Sequence, residues 1–148
     1  MRENQNGTTE NTRLRQRLLE TYLGQSVTIE IDRPIGYVHQ KKDRTLLYPI
    51  NYGYVPGVLG GDGEELDVYL LGVDQPVQTY TGRIIAAVLR ADDCEDKLVM
   101  APEGCTFSAE EIEKQLHFQE KYYQTALRLA DRTETDTETE TKTETDKT

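Results

Sequence analysis

Between Ser26 and Pro102 the chain carries five short segments, SVTIEID, LLYPINYGYV, LDVYLLGV, TGRIIAAVLR and DKLVMAP, separated by clusters of Gly, Pro and Asp. Each is rich in β-branched, aromatic or other apolar residues, and no helical pattern intervenes between them. Short strands in such a run bury their apolar faces by closing on one another. The expected fold is therefore α+β but mostly β, a small OB-like twisted β-barrel. In the first segment Val27, Ile29 and Ile31 alternate with Thr28 and Glu30, which puts Glu30 opposite the core-facing side.

Helices are expected at both ends of this β region. Leu14, Leu18 and Tyr22 recur at helical spacing between a Thr12 cap and a Gly24 stop, which predicts a short N-terminal helix. Ser108 and Glu111 form a capping-box pattern ahead of Ile112, Leu116, Tyr123 and Leu127, so one amphipathic helix is expected from Ser108 to Leu129, packed on the barrel. The stretch from Arg33 to Arg44, with Pro34, Gly36, Lys41 and Lys42, reads as a basic loop or hairpin.

A chain of 148 residues with 36% hydrophobic content supports one core, expected over residues 12–130. Residues 1–11 are polar, and residues 131–148 read DRTETDTETETKTETDKT, with no apolar side chain to bury. Both are expected to be disordered. A formal charge of −10 repels the phosphate backbone that nucleic-acid binders must attract, so nucleic acid is not an expected partner. No apolar run has the length of a membrane span, and the first residues lack the apolar core of a secretory signal. Cys94 and Cys105 are too few for a disulfide scaffold. A soluble, unprocessed protein of the cytoplasm is expected.

The chemistry concentrates in GGDGEELDVYLLGV, where Asp62, Glu64, Glu65 and Asp67 stand within six residues at the entrance to an apolar strand. Hard cations such as Mg²⁺ take a few carboxylates and complete their shell with water and substrate oxygens. Acidic turns are common, and the ordinary reading of such a cluster is a solvated loop.

The context is more specific. The longer segment YPINYGYVPGVLGGDGEELDVYLLG resembles, in order and spacing, the signature of the family I inorganic pyrophosphatases: a Tyr-Pro, an Asn-Tyr-Gly-Tyr and an Asp-x-Asp-x-x-Asp cluster. The pattern carries onto Tyr48, Asn51, Tyr52 and Tyr54, then onto Asp62, Glu64 and Asp67, with Glu64 standing where the family usually has Asp. More loosely, IEI resembles the early strand with its site glutamate, here Glu30. DDCEDKLVMAP resembles the second acidic segment, with Asp92 or Asp93, Glu95 and Lys97, and HFQEKYYQ resembles the late helix, with Tyr122 on its tyrosine.

The resemblance implies metal-dependent hydrolysis of inorganic pyrophosphate. Asp62, Asp67, Asp92 and Glu95 would hold Mg²⁺, with Mn²⁺ as the alternative, and Glu64 would take the proton of the attacking water. Tyr52, Lys97 and Tyr122 would bind the phosphate substrate, with Glu30 in the outer shell. A homo-oligomer is left open.

Two departures bear on substrate. Tyr123 stands where the family has a phosphate-binding lysine, and the hairpin between Asp32 and Tyr48 is much shorter than the family's, which carries a lysine, a second glutamate and an arginine. Lys41, Lys42 and Arg44, with His39 beside them, are the nearby groups that would replace the lost contacts, although a solvated loop is the ordinary reading of this stretch. His117 is read as a structural helix residue. A hydrolase for another diphosphate and a non-catalytic binding protein on the same fold are the competing readings.

Overall fold

The computed structural model describes residues 16–60, 63–90 and 95–130. The expected disordered ends, Thr12, Leu14, Asp62, Asp92, Asp93 and Cys94 lie outside the described residues. Helix α1 covers residues 16–22 and ends at Gly24, whose φ of 83° is open to glycine and strained for other residues. Then follow β1 (Ser26–Arg33), β2 (Val38–Gln40), β3 (Thr45–Leu47), β4 (Asn51–Leu59), β5 (Glu65–Leu70), β6 (Thr79–Arg90), β7 (Lys97–Ala101), α2 (Ala109–Glu120) and β8 (Thr125–Leu129).

Six strands form one sheet in the order β1-β4-β5-β7-β6-β8, and β1 also pairs with β6, closing five of them into the expected barrel. The pairings are antiparallel except β5 with β7. The interior is filled by Ile29, Val68, Leu70, Ile84, Ala87, Leu98 and Met100, with Leu19 of α1 packed among them. Gly53 is required where β4 crosses β1: a Cβ there would lie 1.8 Å from the backbone oxygen of Glu30.

The opposite face of the sheet is also buried. Tyr52, Tyr69, Ala86, Val88 and Val99 form a second apolar layer, covered by Ile112 and Leu116 of α2 and by Leu46, Tyr48 and Ile50. The expected capping box is present, with Ser108 and Glu111 satisfying each other's backbone N–H groups.

Two expected elements are corrected. The segment LLYPINYGYV is not one strand: Pro49 separates β3 from β4, and β2 and β3 form a two-stranded sheet of their own over the basic stretch. The late helix does not reach Leu129. It ends at Glu120, and Thr125–Leu129 is a strand on the outer edge of β6, pairing Ala86 with Leu129 and Arg90 with Thr125. The backbone groups of the long β6 strand need a partner along that edge, and this tertiary demand outweighs the helical spacing of Tyr123 and Leu127. Among the described residues no helix is long and apolar enough to cross a membrane.

Candidate active site

Register assembles the site. Glu30, Tyr54, Asp67, Lys97 and Val88 are successive cross-strand partners over β1, β4, β5, β7 and β6, and therefore share one face of the sheet. The neighbouring row on that face is Arg33, Tyr52, Tyr69 and Val99. Asp67 and Lys97 of the first row and Arg33 and Tyr52 of the second reach an open cleft. The cleft, of about 340 Å³, is lined by Arg33, His39, Lys41, Tyr52, Glu64, Asp67, Arg90, Glu95, Lys97 and Gln119.

Lys97 is the centre of the polar wall. Its side chain is only 2% exposed, and Nζ donates to Tyr52 Oη at 2.6 Å, to Asp67 Oδ2 at 2.9 Å and to Glu95 Oε1 at 3.5 Å. Burial, followed by the Asp67 carboxylate, pushes the Tyr52 hydroxyl well above its ordinary range, so it stays protonated at any physiological pH. Glu64 sits at the head of β5, exposed, where the turn from Gly60 is closed by hydrogen bonds from Gly60 N to Glu64 O (2.8 Å) and from Gly63 N to Gly60 O (3.2 Å). Gly63 itself takes a φ of 83°, which glycine adopts without strain.

Of the residues singled out in the sequence, Tyr52, Glu64, Asp67, Glu95 and Lys97 are brought together in this cleft. Asp62 and Asp92 lie outside the described residues. Tyr122 does not line the cleft: it is 42% exposed, with the Arg44 guanidinium 3.9 Å from its ring centre. Glu30 also stays outside, accepting a hydrogen bond from Tyr54 Oη at 3.1 Å. From the basic stretch His39 and Lys41 reach the lining, Arg44 is turned onto Tyr122 and Tyr123, and Lys42 is exposed. His117 is exposed on α2.

Three lining residues were not singled out as site residues. Arg90 is almost fully buried, stacks 3.7 Å from the Tyr123 ring centre, and reaches Glu120 through Nε at 3.0 Å and Nη2 at 2.8 Å. Gln119 and Glu120 end the buried stripe that Ile112 and Leu116 begin on α2. Polar residues at the two positions that continue an apolar helical stripe are the signal that finds them. Arg33, the third, reads in the sequence as the first cation of the basic loop or hairpin from Arg33 to Arg44.

Each carboxylate on the cleft is an oxygen donor of the kind hard divalent cations take, so the chemistry of the donor set fits Mg²⁺ or Mn²⁺. Among the described residues, however, no three such donors are gathered closely enough to hold a cation by themselves. The cationic side chains Arg33, Lys41, Arg90 and Lys97 line the cleft together with Glu64, Asp67 and Glu95. On a chain of charge −10 this lining is locally suited to an anion.

A sequence profile described as inorganic pyrophosphatase matches residues 18–146. The inorganic pyrophosphatase of Sulfolobus acidocaldarius is 33% identical over 100 residues, covering 60% of this chain and 55% of that protein. That of Neisseria meningitidis serogroup A is 44% identical over 59 residues, covering 36% and 33%. The chain thus spans about half the length, or less, of these curated relatives. Among solved structures, the inorganic pyrophosphatase from Ehrlichia chaffeensis aligns with a TM-score of 0.54 at 16% identity, covering 73% of this chain and 88% of that one. The protein titled inorganic phosphatase from Anaplasma phagocytophilum aligns at 0.52 and 15% identity, covering 71% and 85%. At such identity the structural likeness speaks for the fold alone.

Proposed function

This chain belongs to the inorganic pyrophosphatase family, and from that premise we propose that it hydrolyses inorganic pyrophosphate to two phosphates with the help of divalent cations. The observation that carries the reading is the buried Tyr52–Lys97–Asp67 hydrogen-bonded group at the wall of a cleft that also holds Glu64 and Glu95.

In this reading Asp67 and Glu95 would hold the cations, Mg²⁺ or Mn²⁺, together with Asp62 and Asp92. When bound, the cations neutralise phosphate charge and lower the pKa of coordinated water. Lys97 binds a phosphoryl oxygen. An ammonium has three donors, and here three acceptors occupy them, so the long Glu95 contact of 3.5 Å is the one that substrate displaces. Tyr52 holds Lys97 in place and, fixed in its protonated form, donates to phosphate. Glu64, exposed at the cleft mouth, accepts the proton of the attacking water. Tyr122, outside the described lining, has no step assigned to it. A chain with only two cysteines suits a reducing, cytoplasmic location.

The test is phosphate release from pyrophosphate with added Mg²⁺ or Mn²⁺, repeated with excess chelator and with nucleoside diphosphates and other diphosphates. Turnover on pyrophosphate that chelator abolishes is expected. Turnover on other diphosphates alone would show that the separate β2–β3 wall has changed the leaving group. Metal binding without turnover on any substrate would show a binding protein.

A further inference from the structure

Arg33 occupies a place that strand alternation denies it. Val27, Ile29 and Ile31 point into the barrel, and two residues further on Arg33 would follow them. Instead the register slips. Ile31 is paired with Gly53 and Arg33 with Tyr52, so Asp32 is an extra residue in β1. A β-bulge of this kind turns the following side chain to the other face, and here it brings Arg33 to the cleft beside Tyr52.

The guanidinium is then held by rings and a hydroxyl, with the adjacent Asp32 acting on it through space and not in ion-pair contact. Its Cζ lies 5.4 Å from the ring centre of Tyr52, 5.5 Å from Tyr48 and 5.9 Å from Tyr37, and Nη1 donates to Tyr48 Oη at 2.6 Å. Arg90 and Lys97 have carboxylates within ion-pair distance, whereas among the described residues none pairs with Arg33. Tyr48 is itself fixed: Oη donates to Gln119 Oε1 at 2.8 Å, and Gln119 Nε2 donates to Tyr69 Oη at 2.5 Å. A cation caged by neutral rings, ordered in advance and with no carboxylate in ion-pair contact among the described residues, is a prepared anion site. His39 on the same lining is held below its ordinary protonation range by burial first, then by Arg33 and Lys41.

Building on the pyrophosphate reading of this cleft, we propose that Arg33, re-aimed by the bulge at Asp32, binds the phosphoryl group of the substrate that Lys97 does not reach. Both cations sit against the same ring. Arg33 Cζ is 5.4 Å and Lys97 Nζ 5.2 Å from the centre of Tyr52, so they stand no further apart than the sum of those distances. Two linked phosphoryl groups, with a hydrogen bond at each end, bridge such a gap. The bidentate fork of arginine supplies two of those bonds from one side chain. Arg33 thereby does the work of cationic groups expected on a longer hairpin, and it does so from the barrel itself. Tyr48 and Gln119 are its positioning residues.

The experiment compares Arg33→Gln, Arg33→Lys and Tyr48→Phe with the unmodified chain, measuring kcat and KM for pyrophosphate and, separately, the affinity for inorganic phosphate by calorimetry without added metal. Arg33→Gln is expected to raise KM and weaken phosphate binding by about 10-fold or more, with a smaller change in kcat. Arg33→Lys should recover part of both, and Tyr48→Phe should shift KM a few-fold with the same pattern. A merely structural role would not give rescue by charge. In the unmodified chain, saturating pyrophosphate should slow phenylglyoxal labelling of Arg33, which tests the contact without any variant. If the chain turns over pyrophosphate but Arg33→Gln stays within twofold in KM and phosphate affinity, or labelling is unprotected, this proposal is overturned alone. If the unmodified chain neither binds nor turns over pyrophosphate, the functional reading beneath it fails as well.

Discussion

Lys97 and Asp67 are directly opposed cross-strand neighbours on β7 and β5, paired at 2.9 Å across the one parallel pairing among the described strands. Parallel neighbours cannot be joined by a tight hairpin, and the chain travels through the whole of β6 between them. The ion pair at the heart of the cleft is thus a product of barrel closure.

Lys97→Met should lower turnover by about 10²-fold, the usual loss when one preorganised donor to a charged reacting group is removed. Stability should change little, because Asp67 is 32% exposed and rehydrates when its partner goes. Steady-state kinetics alongside urea unfolding separates the two effects.

Glu120→Gln should behave in the opposite way. Arg90 is 1% and Glu120 8% exposed, so breaking the pair removes the closest carboxylate partner of a buried guanidinium. A loss of about 3 kcal/mol is expected, the low end for unpairing a buried charge. A shift of the urea midpoint with an unchanged slope would confirm it, and unaltered stability would contradict the geometry.

Glu64 and Asp67 should separate by role. Asp67→Asn should weaken metal binding, so that excess Mg²⁺ partly restores turnover. Glu64→Gln keeps size but removes the proton acceptor, and turnover should fall by about 10²-fold with metal affinity nearly unchanged. Recovery of Glu64→Gln by excess metal would make Glu64 a ligand.

Alkaline pH should unfold the protein through its tyrosines. Tyr52 and Tyr69 are held well above the ordinary value of 10.0, in each case by burial first, then by Asp67 and Glu120 respectively. A raised folded-state value means the unfolded chain loses these protons first. Their stabilising contribution is complete below about pH 10 and is lost as pH rises from there through the folded-state values. Thermal midpoints and tyrosinate absorbance recorded together across that range should fall and rise in step.

Much of this architecture is legible in local pattern. The alternation of Val27, Ile29 and Ile31 places them in the barrel, and the spacing from Tyr52 through Glu64 to Asp67 delivers three side chains to one cleft. What is not legible depends on partners distant in sequence. Leu116, Tyr123 and Leu127 keep a helical period, yet the free edge of β6 claims Thr125–Leu129 as a strand. The N-terminal spacing points to Leu18 and Tyr22, whereas the side chain buried deepest from α1 is Leu19. Arg33 looks like the start of a basic loop because the slip that re-aims it is a property of pairing with β4. Arg90 and Glu120, thirty residues apart, announce nothing individually and become a pair only when α2 docks.

The ribbon of β2 and β3 hydrogen-bonds to itself and takes no part in the main sheet. Its tip, residues 41–44, is closed by Lys41 N donating to Arg44 O at 2.8 Å, and its base by Gly36 N to Tyr48 O at 2.8 Å and Tyr48 N to Tyr37 O at 2.9 Å. Lengthening or trimming the tip therefore changes no barrel register, and each doubling of loop length carries an entropy cost of only about 0.6 kcal/mol. Yet His39 and Lys41 ride on this ribbon at the mouth of the cleft. The size and charge of whatever leaves the cleft are thus adjustable at a tip outside the barrel's hydrogen-bond register, so that evolution or a designer is free to retailor the entrance while the strand pairing behind it stays as it is.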